Sequence, residues 1–256
     1  QCDWSSDVCS SDLSSLKVMT DVYDLLTYKG FDRVCVLGVE DTINDKVLQF
    51  FGQSGACLTY DKEQEGIKPS AFDRRNGGFY VGQGAVFAVF ENDAALSNKP
   101  KAKLLGAGVA SEQSTNAIGQ RDDGQGFVRS AENAFKIGNI GSGEIQIVKT
   151  HGTGTDSNNA AEKAALQTLF HSPFIATSFK QRIGHTMGAS GLLETCLLLD
   201  SLQSGLVTSI PNRTEHDPVF LSEPVTMKKA PKILSLAAGM GNIYADRKST
   251  RLNSSH

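Results

Sequence analysis

The second half of the chain alternates short apolar runs with helix-forming segments, and this alternation limits the possible folds more than any other feature. The runs at 144–150 and 174–178 predict buried strands, and the segments at 157–170 and 188–205 predict helices. Because a strand, helix, strand crossover brings successive strands back parallel, the pattern predicts an α/β fold. We expect a parallel sheet with helices on both faces.

The rest of the chain continues the alternation of strands and helices. The other predicted elements are a helix at about 15–29, strands at 33–39, within 77–91 and at 102–111, a helix that includes 130–140, and a last strand with a glycine turn at 232–242. The run at 33–39 is rich in β-branched residues, which favours a strand buried on both faces. A polar, proline-containing segment at 92–103 is expected to divide the chain into parts at 14–95 and 102–245.

Composition argues against several classes of partner. The 256 residues carry a net charge of −3 and contain no block of lysine or arginine, so neither nucleic acid nor an anionic membrane surface is expected as a partner. No apolar run approaches the roughly 20 residues that span a bilayer. The cysteines show no zinc-like spacing and are interpreted as reduced, which favours the cytoplasm. They are Cys2, Cys9, Cys35, Cys57 and Cys196, of which Cys35 and Cys196 lie in apolar runs and are expected in the core rather than as nucleophiles.

Both ends of the chain lack hydrophobic periodicity. Residues 246–256 read DRKSTRLNSSH and residues 3–13 read DWSSDVCSSDL. One oligonucleotide that resembles a sequencing-library adapter can encode the first peptide on one strand and the second on the complementary strand. We therefore expect residues 1–13 and 246–256 to be assembly artefacts that do not take part in the fold, as a cloning scar would not. Resequencing without these adapters tests this expectation.

Two histidines occur in parallel contexts, each after a predicted strand and before a predicted helix. His151 lies in KTHGTGTDSNNAAE and His185 in SFKQRIGHTMGASGLLE. One crossover separates them, so both are expected at the carboxyl edge of the same sheet, where α/β proteins bind ligands. Two imidazoles that donate hydrogen bonds to one oxygen form an oxyanion site, suited to an enolate or a thioester oxygen.

Charged residues surround the second histidine. Lys180 can place a positive charge near His185, and Glu194 on the next predicted helix could pair with that lysine. A plain structural ion pair is the alternative for these two residues. A metal site with His171 and His216 as further ligands is disfavoured because no i, i+4 pair or H-E-x-x-H spacing occurs. A phosphate loop is disfavoured because GTGTDSN lacks the G-x-x-x-x-G-K-[ST] order.

These motifs resemble those of the β-ketoacyl synthase family. HGTGT at 151–155 is similar to the family's first histidine motif, and the pattern K-x-x-x-G-H-x-x-G-A-x-G at 180–191 to its lysine and second-histidine motif. FDRRNGGFYVGQG at 72–84 and GMGN at 239–242 resemble two glycine-rich blocks of the family. The resemblance implies a thiolase-like, layered αβαβα fold. Of that fold the chain would hold the end of the N-terminal half, in 14–95, and the C-terminal half, in 102–245.

The resemblance also implies a reaction. It is a decarboxylating Claisen condensation in fatty-acid or polyketide synthesis, in which an acyl thioester on a cysteine is attacked by the enolate of malonyl on acyl carrier protein. His151 and His185 would stabilise the enolate or thioester oxygen, with Lys180 as a third catalytic residue and Glu194 in support. The family implies acyl carrier protein as partner, a homodimer or heterodimer, and no cofactor or metal.

Further positions follow from the same resemblance. Thr153 and Thr155 of HGTGT would support the site, and Met240 stands where many members carry a phenylalanine that gates the acyl pocket. Its flexible thioether would still fill such a pocket. The family's nucleophile motif C-x-S-S-L aligns with Ser14, which places the cysteine near Asp12. No nucleophilic cysteine is therefore expected, and we predict that the 256-residue chain cannot condense.

Two alternatives differ from a condensing enzyme. A non-condensing partner subunit, similar to a chain-length factor, would bind without catalysis, but such subunits usually lose the catalytic histidines. A thiolase-type enzyme that uses coenzyme A would be expected to carry a second cysteine in the last glycine turn, and 239–242 has none. Acyl chain length and pathway do not follow from the sequence.

Overall fold

The computed structural model describes residues 14–73, 75, 77–112, 120–215, 217–227, 230–239 and 243–251. The first part contains α1 (Ser14–Thr27), β1 (Arg33–Glu40), α2 (Asp45–Gln53), α3 (Tyr60–Gln64) and β2 (Gly84–Glu91). The second part contains β3 (Ala102–Ser111), α4 (Gln125–Gly138), β4 (Ile147–Lys149), α5 (Asp156–Leu169), β5 (Ile175–Thr177), α6 (Lys180–Ile183), α7 (Ser190–Ser201), β6 (Leu206–Val207), β7 (Val225–Thr226), β8 (Lys232–Gly239) and β9 (Ile243–Arg251). Every element predicted from the sequence is present, whereas α2, α3, α6, β6, β7 and β9 were not predicted.

The larger sheet has five strands in the order β3, β9, β8, β4, β5. Strand β4 is parallel to both β5 and β8, as the crossovers predict. Strand β9 is antiparallel to β3 and β8, so the prediction of a wholly parallel sheet is wrong. Only three residues separate β8 from β9, and a connection that short joins antiparallel strands.

Strand β9 extends into the peptide that was expected to lie outside the fold. Residues 246–251 pair with β3 on one side, and residues 246–250 pair with β8 on the other. The expectation that the second part ends at Ala245 is therefore corrected, because β9 runs to Arg251. Backbone hydrogen bonds between strands require no particular side chain, so a segment without hydrophobic periodicity can occupy this central position. The adapter origin of the peptide stays a prediction.

Side chains of β8 alternate between two cores, as the period of a strand requires. Leu234 and Leu236 pack in a buried cluster with Phe127 of α4. Ala237 points to the opposite face and packs in a second cluster with Leu16 of α1. The five-stranded sheet thus lies between the α4 and α5 layer and the α1 and α7 layer.

Strands β1 and β2 form a separate antiparallel sheet on the far side of α1 and α7. Val36 and Val86 face those helices and are buried. Leu37 and Phe87 face outward, and their exposed fractions are 66% and 62%. The prediction that the strand at 33–39 is buried on both faces is therefore wrong, because the described residues cover only its inner face. The layers run α, β, α, β from α4 to β1.

Candidate active site

The two predicted histidines meet at the carboxyl edge of the five-stranded sheet. His151 follows β4 directly, and His185 follows β5 after the short helix α6. Strands β4 and β5 are parallel neighbours, with Lys149 opposite Thr177. The imidazole rings are 5.5 Å apart between centroids and nearly perpendicular, at 79°. This separation confirms the predicted proximity of the two histidines. Both side chains are also buried.

The position of the proton on His185 follows from its neighbours. The backbone N–H of Met187 donates to Nδ1 of His185 at 3.1 Å, and the Ser190 hydroxyl lies 3.1 Å from the same nitrogen. A nitrogen that accepts a backbone N–H carries no proton in the neutral ring. The proton of neutral His185 is therefore on Nε2, which makes Nε2 a hydrogen-bond donor.

His151 is held through its backbone. Its N–H and that of Gly152 donate to the two carboxylate oxygens of Glu162, at 2.6 and 2.7 Å. The Asn158 amide donates to the same carboxylate. The ring nitrogen Nδ1 of His151 is buried, and the described residues supply no partner for it. A buried polar atom without a partner is costly, and a ligand atom would satisfy it.

A buried ion network lies behind the histidines, formed by Lys149, Lys180 and Glu194. The Lys180 ammonium donates to Oε1 of Glu194 at 2.7 Å, which confirms the predicted pairing. The Lys149 ammonium donates to Oε2 of the same carboxylate at 2.9 Å and to the backbone carbonyl of Leu236 at 2.8 Å. All three side chains are almost completely buried.

Burial and charge shift the pKa of several of these groups. Burial, then the ammonium group of Lys180, holds the pKa of both His151 and His185 well below the ordinary value of 6.5. Burial also lowers the pKa of Lys180, although the Glu194 carboxylate opposes the shift. Burial alone would raise the pKa of Glu194, but the two ammonium groups lower it on balance. Both imidazoles are therefore neutral at pH 7, and in the ion network two lysine side chains share the single carboxylate of Glu194.

The glycine-rich segment at 77–84 lies against both histidine motifs. The N–H of Gly78 donates to the carbonyl of Gly154 at 3.2 Å, and the N–H of His185 donates to the carbonyl of Tyr80 at 2.7 Å. Gly154 has a φ of +76°, and a Cβ there would lie 2.5 Å from the carbonyl oxygen of Ser70. Glycine is required at this position by both conformation and space.

The first turn of α1 packs against the first turn of α7. The N–H of Leu192 donates to the Ser15 hydroxyl at 3.1 Å, and a Cβ on Gly191 would lie 2.6 Å from Cβ of Leu16. Since Ser190 contacts His185, the start of α1 is adjacent to the histidine pair. The expected nucleophile position, Asp12, lies outside the described residues.

Thr153 and Thr155 lie beside the site. Their hydroxyls are 3.0 Å apart, Thr153 is buried, and Thr155 precedes α5 as its N-cap without a capping side-chain hydrogen bond. Their supporting role stays a prediction. The predicted gate, Met240, lies outside the described residues.

None of the three cysteines within the described ranges forms a disulfide with another. Burial raises the pKa of the Cys57 thiol to about 11, which keeps it protonated at neutral pH. Cys196 packs against the apolar cluster around α1, as expected of a core residue. Cys35 was also expected in the core but is exposed, because it lies on the outward face of β1.

The metal alternative and a membrane span find no support within the described ranges. No group of three histidine, cysteine or acidic side chains there could hold a metal ion. His171 is exposed and precedes β5, so it lies at the amino end of that strand, away from the histidine pair. His216 lies outside the described residues. No described helix is both long and apolar enough to cross a membrane.

Two buried residues of this site were not predicted. Lys149 ends an apolar strand, and only its charge at a fully buried strand position signals a function. Glu162 lies 11 residues after His151 and less than two helical turns into α5. Neither contact follows from local spacing, because each depends on how β4 packs against a helix.

Comparisons with known proteins show which proteins this chain is similar to. Residues 101–214 match the family model described as the β-ketoacyl synthase C-terminal domain. The chain is 28% identical over 242 residues to an oxytetracycline polyketide β-ketoacyl synthase of Streptomyces rimosus, which covers 91% of this chain and 56% of that protein. It is 25% identical over 234 residues to a mitochondrial 3-oxoacyl-[acyl-carrier-protein] synthase of Arabidopsis thaliana. That match covers 88% of this chain and 50% of the Arabidopsis protein. The chain thus spans about half the length of these relatives.

A solved structure has the same fold. It contains a type II polyketide synthase acyl-carrier protein in complex with its ketosynthase, and the TM-score is 0.89 at 17% sequence identity. The match covers 97% of this chain and 63% of the solved chain. This likeness supports the predicted thiolase-like α/β fold.

Proposed function

Since residues 101–214 match the β-ketoacyl synthase C-terminal domain, we propose that this chain belongs to that family and forms part of a condensing acyltransferase. The reaction is the decarboxylating condensation of an acyl thioester with malonyl on acyl carrier protein, in fatty-acid or polyketide synthesis. The proposal includes acyl carrier protein as partner, a dimeric intact protein and a cytoplasmic location.

The buried, adjacent pair of imidazoles is the observation that carries this proposal. His185 offers an N–H at Nε2, and the ring of His151, 5.5 Å away, has a buried nitrogen without a partner among the described residues. Such a pair can receive the oxygen that becomes negative when malonyl loses carbon dioxide. The ammonium groups of Lys149 and Lys180 behind the pair favour that negative charge.

The roles proposed for the site residues follow from their contacts. His151 and His185 are catalytic residues that donate hydrogen bonds to the enolate or thioester oxygen. Lys180 supplies positive charge beside them, and Glu194 orients the Lys180 ammonium. Thr153 lines the buried turn that carries His151. These groups need no cofactor for the proton and charge movements of this reaction.

The binding-module alternative is less well supported by the site. A subunit that only binds would not require two neighbouring buried imidazoles that can donate hydrogen bonds. It would also not require a buried carboxylate that holds the backbone of His151. The choice of substrate distinguishes a thiolase-type enzyme that uses coenzyme A from the condensing enzyme. Only the condensing enzyme would release carbon dioxide from malonyl on carrier protein.

The test uses the complete gene product that contains residues 14–245, with acyl and malonyl carrier proteins as substrates. We expect ketoacyl product from that protein and a loss of at least about 10²-fold in rate for His151→Ala or His185→Ala. Equal activity in both variants would remove the oxyanion assignment. The 256-residue chain, with Asp12 at the expected cysteine position, should release no ketoacyl product.

A further inference from the structure

Lys149 is a buried cation that the proposed reaction does not use directly. It is the last residue of β4 and lies two residues before His151. Its side chain is fully buried, and its ammonium donates to Glu194 and to the carbonyl of Leu236. Because its ammonium is fully buried and already bonded to Glu194 and Leu236, Lys149 does not serve as a direct ligand of a substrate.

The charge of Lys149 is not required to pair the other buried ions. Lys180 and Glu194 alone would form a neutral pair at 2.7 Å. A second ammonium on the same carboxylate adds the full cost of burying a charge, which an apolar side chain at this strand position would avoid. A costly buried charge beside a candidate site indicates a function rather than packing.

The charged and titratable groups around the histidines come from four elements. Lys149 lies on β4, Lys180 on α6 and Glu194 on α7. Glu162 on α5 is hydrogen-bonded to the backbone at 151–152. Burial raises the pKa of Glu162, although these hydrogen bonds oppose the shift. Lys149 is thus the second ammonium group on the single carboxylate of Glu194.

We propose that Lys149 is a positioning residue of the oxyanion site, an inference that rests on the proposed function. Its ammonium holds the second oxygen of Glu194, so that the first oxygen remains directed at Lys180. Its ammonium also adds a second positive charge beside the histidine pair, which favours an anion there. Lys149 acts through these residues and does not contact the substrate.

The experiment measures the protonation of the imidazoles in the 256-residue chain. Histidine is labelled with ¹⁵N, and the ring signals are followed by NMR over pH, with His151→Gln and His185→Gln for assignment. We expect both rings to titrate at higher pH in Lys149→Met than in the unmodified chain. Lys149→Arg should restore the original titration. Lys136→Met, at an exposed position on α4, is the matched control and should change neither ring.

Each outcome bears on the proposal. A folded Lys149→Met or Lys149→Gln chain in which both rings titrate as in the unmodified chain would overturn it. If neither variant folds, the unmodified chain decides: rings that titrate at the ordinary value of 6.5 contradict the proposal. Rings that titrate at higher pH in either folded neutral variant, and as in the unmodified chain in Lys149→Arg, support it.

A parallel measurement separates this inference from the proposed function. Carbon dioxide release from malonyl carrier protein is followed in the complete gene product with and without Lys149→Met. Absence of release from every form, with imidazoles that still respond to Lys149, would reject the condensing reaction and retain the electrostatic role. Release that does not change in Lys149→Met would reject the positioning role and retain the reaction.

Discussion

Replacing Glu194 by alanine should destabilise the protein strongly, because two buried ammonium groups would lose their shared carboxylate. Lys149 and Lys180 are 0% and 1% exposed at the side chain, so water does not replace the lost partner. Breaking a buried ion pair from one side costs about 3–5 kcal/mol, and here one change breaks two contacts. We therefore expect a loss of at least about 3 kcal/mol, out of the roughly 5–15 kcal/mol that stabilises a domain.

Urea denaturation of the 256-residue chain, followed by circular dichroism, measures this loss. Glu132→Ala, at an exposed position on α4, is the control and should stay within about 0.5 kcal/mol of the parent chain. The triple variant Lys149→Met, Lys180→Met and Glu194→Leu removes all the charges and should recover most of the stability. A loss below about 1 kcal/mol in Glu194→Ala, or a triple variant as unstable as the single one, would refute the reasoning.

Two further predictions concern stability. The folded pKa values of His151 and His185 lie below 6.5, so the unfolded chain binds protons first and stability should fall as pH drops through that value. Denaturation at several pH values should show a flatter slope in the glutamine variants, and an unchanged slope would contradict the burial of neutral rings. Gly191→Ala should cost about 1–3 kcal/mol, because its Cβ would lie 2.6 Å from Leu16, whereas Gly52→Ala, with open space around it, should not destabilise. Equal melting of these two variants would contradict the packing of α1 against α7.

The sequence predicts the centre of the site because the topology of a crossover has few alternatives. Parallel strands β4 and β5 had to be neighbours, so His151 and His185 had to meet at one edge. The contact of Lys180 with Glu194 was predicted for a similar reason, since the two residues flank the same turn.

Contacts that depend on packing were not predictable. Lys149 reaches Glu194 across 45 positions, and no periodicity indicates which strand faces α7. The exposure of Leu37 depends on which elements cover β1, and an apolar run alone does not supply that information. Strand β9 was not predicted because strand pairing is made by backbone hydrogen bonds, whereas hydrophobic periodicity reflects only the side chains.

The most direct test of the oxyanion assignment is the rate of carbon dioxide release from malonyl carrier protein by the complete gene product. The arrangement of His151 and His185 predicts that alanine at either position lowers this rate by about 10²- to 10³-fold, while the chain still folds and binds carrier protein. Release at the parent rate in both folded variants would contradict the assignment of the histidine pair as the site that stabilises the enolate.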